Sequence, residues 1–373
     1  MVNVGYKELI HKKGKFILII LGLSLSIFLV QYSAGMFNGV LSQSTEIIDK
    51  FEFDAWIRDE DSDQFFEGSF LDDSVYQKLQ NFSKVQNAER LIFRGAEVED
   101  EKRTTFTYIF GCDFNNPNHE IGPWDVVKGS EADLYEGLTI IVDESIEEYF
   151  SLKVGDYLEV EGLMMRVVGF CENSRFMFNG YIWASLETVK AITPWLGNWS
   201  ATIAVNFEDG YTIEEFKEDV ADDIDEDLNV LTYEELRENS HSFIVNEGGL
   251  GGAIYILVGM GFFVALIILT VTMYQSIQEK IPVFGTLKAI GAGKGFLNKM
   301  LFGQVFVYIT LSFIFGSILA VLFSFMGGAM PILVDFQASV ILYLVFLSMG
   351  LGASSIIIFK VHKIDPAIVF KTI

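Results

Sequence analysis

The chain has 373 residues, 51% of them apolar, yet its formal charge is −24, with 50 Asp and Glu against 26 Lys and Arg. A positive mean hydropathy beside so much acid excludes a uniform soluble domain, and the negative charge argues against a nucleic-acid partner. The two properties separate along the chain: residues 44–247 hold 15 Lys and Arg against 46 Asp and Glu, a net of −31, and the remainder carries +7.

Residues 1–15 are basic, with Lys7, His11, Lys12, Lys13 and Lys15 against Glu8, and residues 16–40 are uncharged. That run is long enough for a helix to cross a hydrocarbon core of about 30 Å. A cleaved signal peptide is the competing reading, with Ser33-Ala34-Gly35 as its processing site. The apolar run is too long for it, and the small residues fall inside the run rather than after it. The basic flank places the N-terminus in the cytoplasm and residue 41 outside.

Residues 41–247 contain no apolar run long enough to cross, and form an extracytoplasmic domain with room for two lobes. Alternation predicts strands at 91–97 and 104–110, and 138–142 reads as a buried strand. A short helix over 144–150 follows, with Asp143 as N-cap. Strands at 157–160 and 164–170, punctuated by Gly155 and Gly162, suggest a small barrel or sandwich. Ile213, Phe216, Val220, Ile224 and Leu228 recur at helical spacing over 212–228, opposite an acidic face. A brief strand at 230–232 precedes a polar helix, 233–246, that runs directly into the second span.

That span covers 249–276, and a third covers 299–323. The segment between them, 277–298, is flanked and filled by Lys280, Lys288, Lys294 and Lys299 against Glu279 alone, which places it in the cytoplasm. Within it, residues 283–290 form a short amphipathic helix lying at the membrane surface, presenting Phe284, Leu287 and Ile290. Residues 324–337 contain Asp335 and no Lys or Arg, as suits an outside loop. A fourth span, 338–359, returns the Lys-bearing tail, 360–373, to the cytoplasm. The expected fold is a membrane α-helical protein of four transmembrane helices, with a mixed α+β extracytoplasmic domain between spans 1 and 2. It sits in the cell membrane, among its lipids, with both termini cytoplasmic.

Catalytic chemistry is absent from the pattern. GAGKG at 291–295 is not a phosphate-binding loop, since Lys288 stands where the first glycine is needed and Gly295 replaces the required Ser or Thr. His11, His119, His241 and His362 are scattered, without metal-ligand spacing. The acidic run 219–227 lacks the glycine and final glutamate of a calcium loop and reads as a solvated helix face. No catalytic residue, metal site or cofactor of this chain's own is expected. Cys112 and Cys171 both fall outside, where a disulfide is permitted, and paired and free thiols remain open.

Polar side chains within the spans have two readings. Gln31, Tyr32, Met36 and Asn38 lie in the outer half of the first span, and Tyr255 and Met260 in that of the second. They serve as packing and interfacial anchors, or they face a ligand at a dimer seam. Glu247, at the head of the second span, is a helix cap or part of the same set. Glycines 248, 249, 251, 252, 259 and 261 allow close helix approach.

The layout and four motifs resemble the permease family that includes MacB and FtsX. The motifs are FGTLKAIGA (284–292), IDPAIVF (364–370), VDESIEEYFSLKVGDYLEVEGLMMRVVGF (142–170) and NVLTYEELRE (229–238). Within that family the compact outer domain and the LKAIG loop look most like the DevC and HrtB branch, the latter linked to haem efflux. The family usually has an acid directly before the loop's first apolar-Gly pair; here Val283 follows Pro282, and Glu279 is the nearest acid.

The resemblance implies a permease homodimer served by two copies of a separate ABC ATPase that holds ATP and Mg. Glu279, Phe284, Leu287, Lys288 and Ile290 would contact that ATPase. An adaptor or other extracytoplasmic partner is implied as well. It implies export of an amphipathic or hydrophobic substrate, haem included, with Tyr32, Met36, Glu247, Tyr255 and Met260 as the substrate-facing set. The alternatives are FtsX-like mechanotransmission to an extracytoplasmic hydrolase, or a sensor, without transport.

Overall fold

The computed structural model describes residues 13–362 except 52, 115, 117, 136, 177–178, 195–196, 225–226, 248–249, 290–292 and 327–331. The chain divides into two compact units, one of Met1–Gly39 with Leu250–Ile373 and the other of Val40–Gly249.

In chain order, α1 (Lys13–Ser44) and α2 (Glu46–Lys50) precede β1 (Ala55–Arg58), β2 (Leu71–Asp72) and α3 (Asp73–Leu79). The 15-residue β3 (Val85–Glu99) turns back into β4 (Thr104–Cys112). Then come β5 (Val126–Gly129), β6 (Thr139–Asp143), α4 (Glu144–Phe150), β7 (Tyr157–Val160), β8 (Leu163–Cys171) and β9 (Arg175–Phe176). β10 (Asn179–Ser185), α5 (Leu186–Ile192), β11 (Trp199–Ser200), β12 (Thr202–Phe207), α6 (Ile213–Asp223), β13 (Asn229–Thr232) and α7 (Tyr233–Ser242) complete the inserted domain. Three long helices follow: α8 (Leu250–Ala289), α9 (Lys294–Met326) and α10 (Phe336–His362).

The membrane unit is built from α1, α8, α9 and α10, each containing a stretch long and apolar enough to cross a bilayer. Its buried centre comes from Leu23, Ile27 and Val30 of α1, Ala265 and Leu269 of α8, Val305 and Ile309 of α9, and Phe346 of α10. Close approach needs small residues. At Gly261 an added Cβ would lie 2.5 Å from Val30 Cγ2, and at Gly316 it would lie 2.9 Å from Ile27 Cγ2. Gly252 and Gly259 of the same glycine series face open space. Ser312 Oγ donates across to the Ile20 carbonyl (3.3 Å), and the Thr310 and Tyr343 hydroxyls pair at 3.0 Å.

The inserted domain has two lobes that share β3. In the first, strands run in the order β13-β1-β12-β3, all antiparallel. With α3 and α6 included, the chain passes through β, α, β, β, α, β, a split-βαβ lobe whose third strand lies between the first two. Ala55 and Ile57 of β1, Ile203 and Val205 of β12, Val75 and Leu79 of α3, and Phe216 and Val220 of α6 share one core. The second lobe is inserted between β3 and β12. Pairing runs β3-β4-β10-β6-β8-β7 and back to β3, a closed ring of six strands. Its outer face, opposite the buried Val98 and Val160, is aromatic: Phe110 stacks on Trp183 at 5.1 Å and meets Tyr181 edge-on at 4.7 Å. The ring is the small barrel expected from the glycine-punctuated strands.

Local expectations hold at α4, where Asp143 accepts from the Ser145 N–H and the helix spans Glu144–Phe150. The helix expected over 212–228 ends at Asp223 instead. Its start is fixed by a capping box between Thr212 and Glu215. Ile224 and Leu228 still pack on the core, but from the connection to β13, so helical spacing outlasts the helix. The polar helix expected over 233–246 is α-helical only to Ser242 and continues as a π-helical turn, Phe243–Glu247. Cys112 and Cys171 are buried free thiols.

Candidate coupling and substrate regions

The second apolar helix is longer than a span. α8 is continuous for 40 residues, about 60 Å at 1.5 Å per residue, twice the hydrocarbon core. A separate short helix lying flat at the membrane surface over 283–290 is therefore corrected. Residues 283–289 are the last two turns of α8 itself. The stretch YQSIQEKI at 274–281 contains no glycine and supports the helix, and Pro282 keeps a helical φ while giving up one backbone hydrogen bond. The backbone places Phe284 and Leu287 one turn apart on one helix face, with Lys288 four residues after Phe284 and Glu279 five residues before it, on another face. Ile290 lies outside the described residues.

The residues expected to face a substrate do not form one cluster. Tyr32 is half-buried and packs on Phe28 (ring centroids 5.5 Å), which in turn meets Phe323 of α9 at 5.1 Å. Met36 is half-buried, and Met260 is exposed on α8. Tyr255 is 60% exposed and meets Phe37, not Tyr32 or Met36, with centroids 6.0 Å apart. Phe37, the residue beside Met36, thus joins α1 to α8 by an aromatic contact. Glu247 ends the π-helical turn, and its side chain lies outside the described residues.

Gln31 lies outside the expected substrate-facing set. Both its amide atoms are buried without a hydrogen-bond partner among the described residues. An unpaired amide at membrane depth is costly, and such groups concentrate where a protein binds or moves something. Its sequence signal is a carboxamide, one of two with Asn38, within the 16–40 apolar run.

Where the chain leaves and re-enters the membrane unit, α2 and α7 carry a polar clasp within the domain. Asp49 accepts from the Tyr233 hydroxyl (2.6 Å), Arg237 Nε (3.1 Å) and Thr45 Oγ1 (3.0 Å). His241 Nε2 lies 3.1 Å from the Leu41 carbonyl oxygen and 3.5 Å from Thr45 Oγ1. Burial lowers the His241 pKa, assisted by the Arg237 charge. Since a carbonyl only accepts, Nε2 carries a proton and donates it to Leu41. On α2, burial pushes the Glu46 carboxyl up to about 7, with Lys50 and Arg175 opposing.

Comparison with known proteins follows this layout. A family model described as the MacB-like periplasmic core domain matches residues 16–223, and one described as the FtsX-like permease C-terminal matches residues 255–366. The putative hemin transport system permease protein HrtB of Staphylococcus haemolyticus is 22% identical over 368 residues, covering 98% of each chain. A Staphylococcus epidermidis protein of the same description is 21% identical over 369 residues, again 98% of each. Among solved structures, the periplasmic region of MacB from Actinobacillus actinomycetemcomitans aligns with a TM-score of 0.38 and 13% identity, over 50% of this chain and 91% of that one. The extracellular domain of the transporter YknZ from Gram-positive bacteria aligns at 0.36 and 11%, over 48% and 99%.

Proposed function

Because the chain belongs to the MacB/FtsX type of ABC transporter permeases, we propose that it couples a separate ATPase to export of an amphipathic or hydrophobic substrate, haem among the candidates. The observation that carries this reading is α8, one unbroken helix from residue 250 to a Lys-bearing end at residue 289. In this scheme two permease copies meet in the cell membrane, with termini and the 277–298 segment cytoplasmic. Two ATPase copies engage the ends of α8. ATP binding closes the ATPase pair, and that closed state binds one permease conformation better than the other, which is the free-energy source for the shift. Movement of α8 reaches the domain through α7 and the Asp49–His241 clasp. The clasp equally favours a second reading, FtsX-like mechanotransmission to an extracytoplasmic hydrolase.

Support for a haem-like cargo comes from the HrtB relatives' descriptions and from Tyr255 and Met260, exposed on α8 and able to stack on or ligate a flat cofactor. Titrating the purified full chain with haemin separates the readings. Export of haem predicts a saturable Soret shift that Met36→Ala with Tyr255→Phe weakens. No saturable shift, or a double variant that binds like the parent, leaves general export or mechanotransmission without haem.

A further inference from the structure

β3 has a gap in its pairing. One of its edges is covered by β4 from Leu91 to Glu99. The other is covered by β12 only as far as Leu91, and by β7 only from Val98. On that second edge the Leu91 carbonyl accepts from the Ala201 N–H (2.9 Å). There too the Glu97 N–H donates to Glu161 Oε1 (2.8 Å) and the Glu97 carbonyl accepts from the Glu161 N–H (3.0 Å). A strand's backbone groups alternate sides, so Phe93 and Gly95, lying between Leu91 and Glu97 at a spacing of two, aim theirs at the same edge. Arg94 Nε covers the Gly95 carbonyl (2.9 Å). Among the described residues, no strand lies beside the Phe93 N–H, the Phe93 carbonyl or the Gly95 N–H.

A cleft of about 430 Å³ opens against this gap, lined by Phe66, Phe70, Phe93, Tyr108, Trp199 and Gly95. Phe70 is 56% exposed and packs on Trp199 at 5.1 Å. The flanking sequence is rich in acid: residues 58–67 hold Asp59, Glu60, Asp61, Asp63 and Glu67, the last lining the cleft, against Arg58, and residues 97–103 hold Glu97, Glu99, Asp100 and Glu101 against Lys102 and Arg103. Of the nearby cations, Arg94 lines the cleft and lies 3.4 Å from Glu161, and the Arg58 guanidinium lies 6.0 Å from the Phe93 ring.

We propose that this edge receives an extended segment of a partner protein, added as a strand beside Phe93 and Gly95. The segment places an apolar or aromatic side chain in the cleft and carries Lys or Arg on both flanks. Open strand edges are templates for such pairing, with backbone bonds giving affinity and side-chain pockets giving specificity. The distance from Leu91 to Val98 admits five or six residues at roughly 3.3 Å each. A small aromatic molecule would use the cleft but neither the unpaired backbone groups nor the acid-rich flanks, so the three features together favour a peptide. This inference is independent of the transport reading and survives its failure.

The test uses the full chain in nanodiscs and a fluorescent peptide, Lys-Lys-Thr-Val-Phe-Val-Thr-Lys-Lys. A second copy is N-methylated at alternate amides, and a third has Glu in place of every Lys. Anisotropy should report saturable binding that weakens about tenfold or more on N-methylation, the scale of one lost net hydrogen bond. The Glu-flanked peptide should bind more weakly than the parent. Amide hydrogen exchange should slow over residues 92–97 when the parent peptide is added. Equal binding of the N-methylated or Glu-flanked peptide, or no protection over 92–97, overturns the proposal. So does a cleft that takes free hydrocinnamate while refusing the peptide. The decisive changes are in the peptide, so a misfolded protein variant cannot imitate the result.

Discussion

His241 Nε2 sits 3.1 Å from the carbonyl oxygen of Leu41, fastening the helix that approaches the second apolar stretch to the last turn of the first. Thr45 Oγ1 joins this bond to the Asp49 carboxylate (3.0 Å), which also holds Tyr233 and Arg237. The Arg237–Asp49 pair is too exposed to contribute much, so the clasp depends on the hydroxyl and imidazole bonds, about 1 kcal/mol each.

Because Thr45 is shared, His241→Ala and Asp49→Asn are expected to be non-additive. A double-mutant cycle in chemical denaturation should give a coupling of about 0.5 kcal/mol or more. Strict additivity would show that the two bonds stand independently and that the clasp is not one device.

A buried ion cluster gives the domain a pH dependence. His119 Nδ1 lies 3.1 Å from Glu89 Oε2, and Nε2 lies 3.4 Å from Glu131 Oε1. Burial alone would lower the imidazole pKa, but contact with Glu131 and Glu89 raises it from the ordinary 6.5 to about 9. A base raised on folding contributes stability that is full below the unfolded value and is lost as pH climbs through the folded one. Melting of the parent protein should therefore fall between pH 6.5 and about 9, and His119→Gln should remove that slope. Equal slopes in both proteins would mean that His119 is not charged in the fold.

Glu89 also shows what patterning could not supply. Alternation predicts β3 over 91–97, where apolar residues face inward, but the strand begins at Val85. Its first half, VQNAER, turns Asn87 and Glu89 inward. There Glu89 accepts from the backbone N–H groups of Glu120 and Ile121, and Asn87 Nδ2 donates to the Asn118 carbonyl. Buried polar residues satisfied by a distant loop break the alternation on which strand recognition rests. Asp143 and Thr212 act through neighbours three residues away or fewer, and their helix starts are legible from the sequence alone. The membrane helices are legible for a different reason, since a bilayer demands long apolar runs. Helix depth alone singles out the candidate substrate residues in the sequence, and depth cannot say that Tyr255 meets Phe37. Nor could local composition show that α8 would carry straight through Pro282.

The lysine distribution makes a topological prediction. A cysteine at Asp222, exposed on α6, should react with an impermeant thiol reagent in intact cells. One at Gly293, exposed between α8 and α9, should react only after permeabilisation. Labelling in the opposite sense would invert the proposed orientation.

The account turns on the end of α8 as the ATPase contact. Apolar anchors at such an interface typically cost about 2 kcal/mol or more each when removed, so two charges on one face should eliminate the complex. The most direct measurement is co-purification of the ATPase with full-length permease carrying Phe284→Asp and Leu287→Asp, with thermal melting of the permease followed in parallel. Loss of the ATPase is expected while the permease melts as the parent does. Undiminished co-purification, with permease-dependent ATPase stimulation intact, would contradict it.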